Sequence, residues 1–248
     1  MKQENFKDCT IPIIEIFNSV SGEGISAGGV MTFVRSAGCN LRCSYCDTKY
    51  SYDEFDCRNK NLKPDEIIDI INTYRCKNIL CTGGEPLELN KAKRYLPLYI
   101  ASKGFKVRIE TNGSCPVYSH SEIKEFIEDT NLLNLNYALD IKCPDSLMSE
   151  NNIYEENFKM LGLGDELKFV VASQNDLDFG IDVIKKYSGV LAKSGAIINF
   201  SPVFGKIHPS NIVDILKENN GYFEETGLKV RLSLQIHKFI WPPEARGV

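Results

Sequence analysis

Three thiols stand close together in the run Gly38-Cys39-Asn40-Leu41-Arg42-Cys43-Ser44-Tyr45-Cys46-Asp47-Thr48. Cys39, Cys43 and Cys46 are spaced by three and then two residues, in a loop that follows a predicted strand. Such spacing lets thiolates bind three irons of a cubane and leaves the fourth iron open to chelate a small molecule. A zinc site is the other chemistry open to clustered cysteines. It ordinarily wants four closed ligands in paired CxxC or HxxxH spacings, and no second pair stands at a suitable distance. The remaining cysteines, Cys9, Cys57, Cys76, Cys81, Cys115 and Cys143, are dispersed singly and read as small apolar side chains.

One predicted unit downstream, Gly83-Gly84-Glu85-Pro86 follows a strand-like run. The glycines permit close backbone approach and the glutamate can accept from an ammonium, although the same tetrapeptide is also an ordinary turn. Further strand ends carry Glu110-Thr111-Asn112-Gly113, Asp140-Ile141-Lys142 and Ser173. Each places polar groups where a barrel opens, or else caps a turn or helix.

These groups need a scaffold. Short apolar runs at 31–35, 78–82, 106–110, 137–141, 167–172, 196–200 and 229–233 read as strands. Segments 64–74, 121–128 and 176–187 carry apolar residues at helical spacing, the first behind a proline suited to the first helical turn. Alternation of the two predicts an α/β fold. About six strand–helix units fall two short of a closed barrel, so the expectation is a partial, open TIM-like barrel with its site at the carboxyl ends of the strands.

The chain has 248 residues, 43% of them hydrophobic, enough for one core, and 1–248 is read as a single domain. Its formal net charge of -4 comes with scattered basic residues, which argues against nucleic acid or an anionic membrane as partner and favours a small molecule. No apolar stretch approaches the roughly 20 residues that span a bilayer. Nine cysteines, an odd number with three clustered, suit a reducing compartment, and the expected location is the cytoplasm.

With an aromatic residue, Tyr45, before its third cysteine, the CxxxCxxC run resembles the signature of the radical S-adenosylmethionine (SAM) superfamily. That resemblance implies a 4Fe-4S cluster on Cys39, Cys43 and Cys46 whose open iron binds SAM, and reductive cleavage of SAM to a 5'-deoxyadenosyl radical. It places Tyr45, Asp47, Gly83, Gly84, Glu85, Glu110, Lys142 and Ser173 around SAM, with Gly83 to Pro86 receiving its amino group.

Across its whole length the chain is similar to the 7-carboxy-7-deazaguanine synthase family. The matching stretches are Glu15-Ile16-Phe17 with Ser21-Gly22-Glu23-Gly24, Phe33-Val34-Arg35, Cys46-Asp47-Thr48, Thr82 to Pro86, Glu110 to Gly113 and Gln235-Ile236-His237-Lys238. The resemblance implies conversion of 6-carboxy-5,6,7,8-tetrahydropterin to 7-carboxy-7-deazaguanine in queuosine biosynthesis, with SAM regenerated. It implies Mg2+ on Thr48, and substrate contacts from Ser21, Gly22, Glu23, Arg35, Thr82 and His237. A guanidinium such as Arg35 suits a carboxylate, and a carboxylate such as Glu23 suits an amino-pyrimidine edge. A flavodoxin or ferredoxin as electron donor and a homodimer are further family expectations.

Ser21 departs from the glutamine of some members, and Trp241 to Val248 continues beyond the point where shorter relatives stop. His120 and His208 stay unassigned. Two other readings share the thiol cluster: a radical SAM activase acting on a glycyl radical enzyme, and a non-catalytic iron-sulfur or zinc module.

Overall fold

The computed structural model describes residues 2–127 and 133–248. Its strands are β1 (Ile11–Val20), β2 (Val30–Ser36), β3 (Lys60–Leu62), β4 (Asn78–Gly83), β5 (Lys106–Thr111), β6 (Asn134–Ile141), β7 (Glu166–Val171), β8 (Ile197–Pro202) and β9 (Lys229–Leu232). They join in one sheet of order β3-β1-β2-β4-β5-β6-β7-β8-β9, in which β3 and β9 are the edges, so the barrel is open. From β2 through β4 to β9 every neighbour is parallel, whereas β1 pairs antiparallel with both β2 and β3.

A short helix α1 (Gln3–Phe6) precedes the sheet, and its Phe6 is fully buried. The crossovers between parallel strands then carry α2 (Pro64–Thr73), α3 (Leu96–Ser102), α4 (His120–Phe126), α5 (Glu155–Met160), α6 (Gln174–Lys186) with α7 (Ser188–Ser194), and α8 (Pro209–Thr226). These are the predicted strand–helix units. The segment read as 121–128 begins one residue early, and its last residue, 128, lies outside the described residues. A final turn, α9 (His237–Ile240), ends the regular structure.

Helix starts follow from local chemistry. Pro64 occupies the first turn of α2, where its missing N–H is no loss, and Glu66 reaches back to accept from the Lys63 N–H at 2.7 Å. Ile67 and Ile71 then fall on the buried face. No helix among the described residues is long and apolar enough to cross a membrane.

The strand period of two separates the barrel's two faces. Ile79, Cys81, Val107, Ile109, Leu139 and Ile141 point outward and are buried under the helices. Their neighbours Leu80, Thr82, Glu110, Asp140 and Lys168 point inward and line a cavity. The core therefore sits between sheet and helices, while the inner wall, largely polar, is free to be a site.

Candidate active site

At the carboxyl ends of the parallel strands lies a cavity of about 610 Å3, lined by Cys39, Cys43 and Cys46 together with Gly83, Gly84, Glu110 and Lys142. Its size is that of a pocket for a small molecule and its cofactor. The loop that carries the thiols leaves β2 and is tied down by the core. The buried Lys93 ammonium donates to the carbonyls of Ala37 at 2.9 Å and Gly38 at 2.6 Å. Arg42 donates to the carbonyl of Cys39 at 2.6 Å and lies over the Tyr52 ring. Tyr45 turns inward and donates its hydroxyl to the carbonyl of Val170 at 3.0 Å, bridging the loop to β7.

The thiols are free and half-buried. Burial pushes the Cys39 and Cys43 thiols up, opposed by the nearby Lys142 ammonium, so metal binding must displace protons. Asn112 stands 3.8 Å from the Cys39 sulfur and the Thr48 hydroxyl 3.5 Å from that of Cys46. Among the described residues no three His, Cys, Asp or Glu side chains are grouped to hold a single ion. A cubane does not ask for that grouping, because each thiolate binds a different iron. Three free thiols on one cavity wall therefore fit a cluster.

The glycine pair is required by contact. A Cβ on Gly84 would stand 1.9 Å from the Gly38 carbonyl oxygen, and Gly83 has φ +127°. Backbone bonds run across this approach, from Gly84 N to Ser36 O at 2.9 Å and from Glu85 N to Gly38 O at 2.8 Å. Strand β4 thus ends in direct register with the thiol loop. Glu85, expected beside a ligand, is instead fully buried and does not line the cavity. Its carboxylate accepts from Leu87 N, Thr111 Oγ1 and Asn112 N at 2.7–2.8 Å, which fixes the end of β5.

Deeper in the barrel lies a network of charges. Lys142 pairs with Asp140 at 2.7 Å, and Lys168 lies 3.1 Å from Glu23 and 3.2 Å from Asp140. Burial alone would raise the Asp140 carboxyl, but Lys142 and Lys168 together hold it below the ordinary range. Burial pushes the Glu110 carboxyl up despite Lys168 and a 2.9 Å bond from the Thr82 hydroxyl. Lys168 keeps its proton firmly, since Asp140, Glu23 and Glu110 outweigh its desolvation. Reading by motif missed Lys168. Its place on β7, in step with inward-facing Glu166 and Val170, was the available signal.

Near the end of β2, just before the thiol loop, Arg35 donates Nε to Glu15 at 2.7 Å, and its terminal amino groups have no acceptor among the described residues. Phe17 and Phe33 stack beside it at 4.8 Å. Glu23 also accepts from Gln235 at 2.7 Å, while the buried Gln235 Oε1 is left without a partner. His237 packs on Gly22, where a Cβ would stand 2.0 Å from its Nδ1.

Not every expected residue joins this group. Ser173 caps α6, accepting from the Asp176 N–H, and does not line the cavity. Ser21 is buried behind the wall, bonded to Ser26 at 2.8 Å. Asp47, by contrast, does line the cavity, where it pairs with Lys238 at 3.3 Å.

A profile of the radical SAM superfamily matches residues 33–144, the stretch that holds the thiol loop, the glycine turn and Lys142. The 7-carboxy-7-deazaguanine synthase of Clostridium acetobutylicum is 39% identical over 95% of this chain and 98% of its own. The chain belongs to the 7-carboxy-7-deazaguanine synthase family. The synthase of Thermoplasma acidophilum is 33% identical over 92% of this chain and 96% of its own. The crystal structure of QueE from Escherichia coli shares the fold, with a TM-score of 0.63 and 17% identity over 94% of this chain and 98% of that one. Membership of this radical SAM family makes the chain an enzyme of the lyase type and implies a 4Fe-4S cluster and SAM.

Proposed function

We propose that this chain converts 6-carboxy-5,6,7,8-tetrahydropterin to 7-carboxy-7-deazaguanine with loss of ammonia, in the route to queuosine. The observation that carries the reading is one cavity lined both by the three thiols and by a guanidinium whose terminal amino groups are unused. Cys39, Cys43 and Cys46 would hold the cluster. Gly83 and Gly84 bring backbone close to it, while Glu110, Lys142, Tyr45 and Asp47 complete the SAM side. When bound, cluster and SAM supply one-electron chemistry and hydrogen abstraction; the protein orients the reactants and excludes side reactions.

For substrate, Arg35 offers two in-plane donors to the pterin carboxylate, and Glu23, steadied by Gln235 and Lys168, accepts from the amino-pyrimidine edge. Gly22 and His237 border the same wall, and Thr82 holds Glu110. Mg2+ takes hard oxygen ligands and keeps much of its hydration, so the Thr48 hydroxyl with water and substrate oxygens suits it. The conversion involves no net oxidation, consistent with SAM being regenerated. A flavodoxin- or ferredoxin-type protein would deliver the starting electron. A homodimer in the cytoplasm completes the proposal.

The test is anaerobic reconstitution with iron and sulfide, then incubation with SAM, Mg2+, reductant and carboxytetrahydropterin. Deazaguanine is expected from the wild type, with iron content and product both lost in Cys39→Ala, Cys43→Ala and Cys46→Ala. SAM cleavage on an intact cluster with no deazaguanine would refute the synthase reading and return an activase to consideration.

A further inference from the structure

The cations that line the cavity are not alike. Arg35 pairs with Glu15 at 2.7 Å, Lys142 with Asp140 at 2.7 Å, Lys168 with Glu23 at 3.1 Å and Lys238 with Asp47 at 3.3 Å. Arg246 lines the same cavity and, among the described residues, has no carboxylate within ion-pair distance. Its guanidinium carbon instead lies 3.8 Å from the centroid of the Tyr50 ring.

A contact that close is made through the flat face of the guanidinium. It positions the group without neutralising it, and leaves the N–H donors at its edge available. Tyr50 is itself anchored, donating its hydroxyl to Glu15 at 3.4 Å, and Arg35 approaches the same ring at 5.9 Å. Two guanidiniums therefore converge on one aromatic side chain, and only Arg35 is paired there with a carboxylate, that of Glu15. The unused donors of both arginines ask for an anion with two acceptor oxygens.

We propose that Arg246 is the second half of an anion clamp with Arg35, and that it makes the site select a carboxylate-bearing pterin over one lacking that group. This deepens the proposed function and rests on it. Arg246 is then a specificity residue carried by the tail that runs from Trp241 past the cavity mouth. A tail that only packs would place no demand on the charge at this position.

The experiment compares wild type, Arg246→Ala and Arg246→Lys in the reconstituted enzyme, and measures two ligands by fluorescence. The ligands are oxidised 6-carboxypterin, which does not react, and pterin without the carboxylate. Arg246→Ala is expected to weaken carboxypterin binding by about tenfold or more, the factor that one charge-assisted hydrogen bond supplies. Binding of the unsubstituted pterin is expected to stay as in wild type, with Arg246→Lys recovering part of the loss. In turnover the loss should fall on KM for carboxytetrahydropterin. Equal effects on both ligands, or on neither, would overturn the clamp. A wild type that makes no deazaguanine overturns the proposed function instead, and the two failures are told apart by that control.

Discussion

The Lys168 ammonium lies 3.1 Å from a carboxylate oxygen of Glu23, joining the inward face of β7 to the loop after β1. The same charge reaches Asp140 at 3.2 Å, with 11% of the Lys168 side chain and 17% of the Asp140 side chain exposed. Removing one partner of a buried pair costs far more than the pair contributes, because the other charges are left uncompensated. Lys168→Met should therefore destabilise the protein by about 3–5 kcal/mol and weaken SAM binding, whereas Lys168→Arg should retain most of both. Urea denaturation and equilibrium dialysis with SAM check this, and a methionine variant as stable as wild type would contradict the network.

Asp140 sets a pH dependence whose sign follows from its neighbours. Its carboxyl is held below its ordinary value of 3.8, so ionised Asp140 stabilises the fold above that value, and the contribution is lost as pH falls through the folded pKa. The stability gap between wild type and Asp140→Asn should be widest near neutral pH and close below the ordinary carboxylate range. Denaturant titrations at a series of pH values measure it. A gap that widens toward acid would mean that burial, and not the two lysines, governs Asp140.

Gly84→Ala places a methyl group 1.9 Å from the Gly38 carbonyl oxygen, a backbone atom that cannot step aside. Overpacking of this kind costs about 1–3 kcal/mol, and here it pushes the thiol loop off the end of β4. Reduced stability of the metal-free protein together with lowered iron after reconstitution is the expected pair of results.

Ser173 gives a sharper test of role. As the cap of α6 it accepts from the Asp176 N–H, and loss of such a cap costs about 1 kcal/mol. Ser173→Ala should lower stability by that amount and leave the KM for SAM unchanged. A raised KM with no stability loss would restore the SAM contact that the motif order suggests.

Much of this architecture is legible in the sequence because parallel strands buried under helices are short apolar runs, and each of those from β2 to β9 was visible as one. Strand β1 was not. It faces solvent in part, contains Pro12 and Glu15, and is held by antiparallel pairing to both β2 and β3, which no local pattern announces. The thiol loop and glycine turn were legible because their chemistry constrains neighbouring residues. Lys168 and Arg246 were not, since a lone basic residue reads as a solvated charge until the barrel shows which way it faces. Glu85 misled in the opposite sense: a glutamate after two glycines looks free to bind, yet the fold uses it to fasten β5.

Arg35 offers a last discrimination, because charge and geometry can be separated there. Its Nε is committed to Glu15 at 2.7 Å, and only a guanidinium has further donors left over in the same plane. Lysine at this position keeps the charge and satisfies Glu15, so Arg35→Lys should remain close to wild type in stability and in SAM binding. It cannot present a bidentate edge to a carboxylate, and the KM for carboxytetrahydropterin should rise by about tenfold or more. If the lysine variant binds the pterin as wild type does, the guanidinium serves the wall alone, and the carboxylate must be received elsewhere in the cavity.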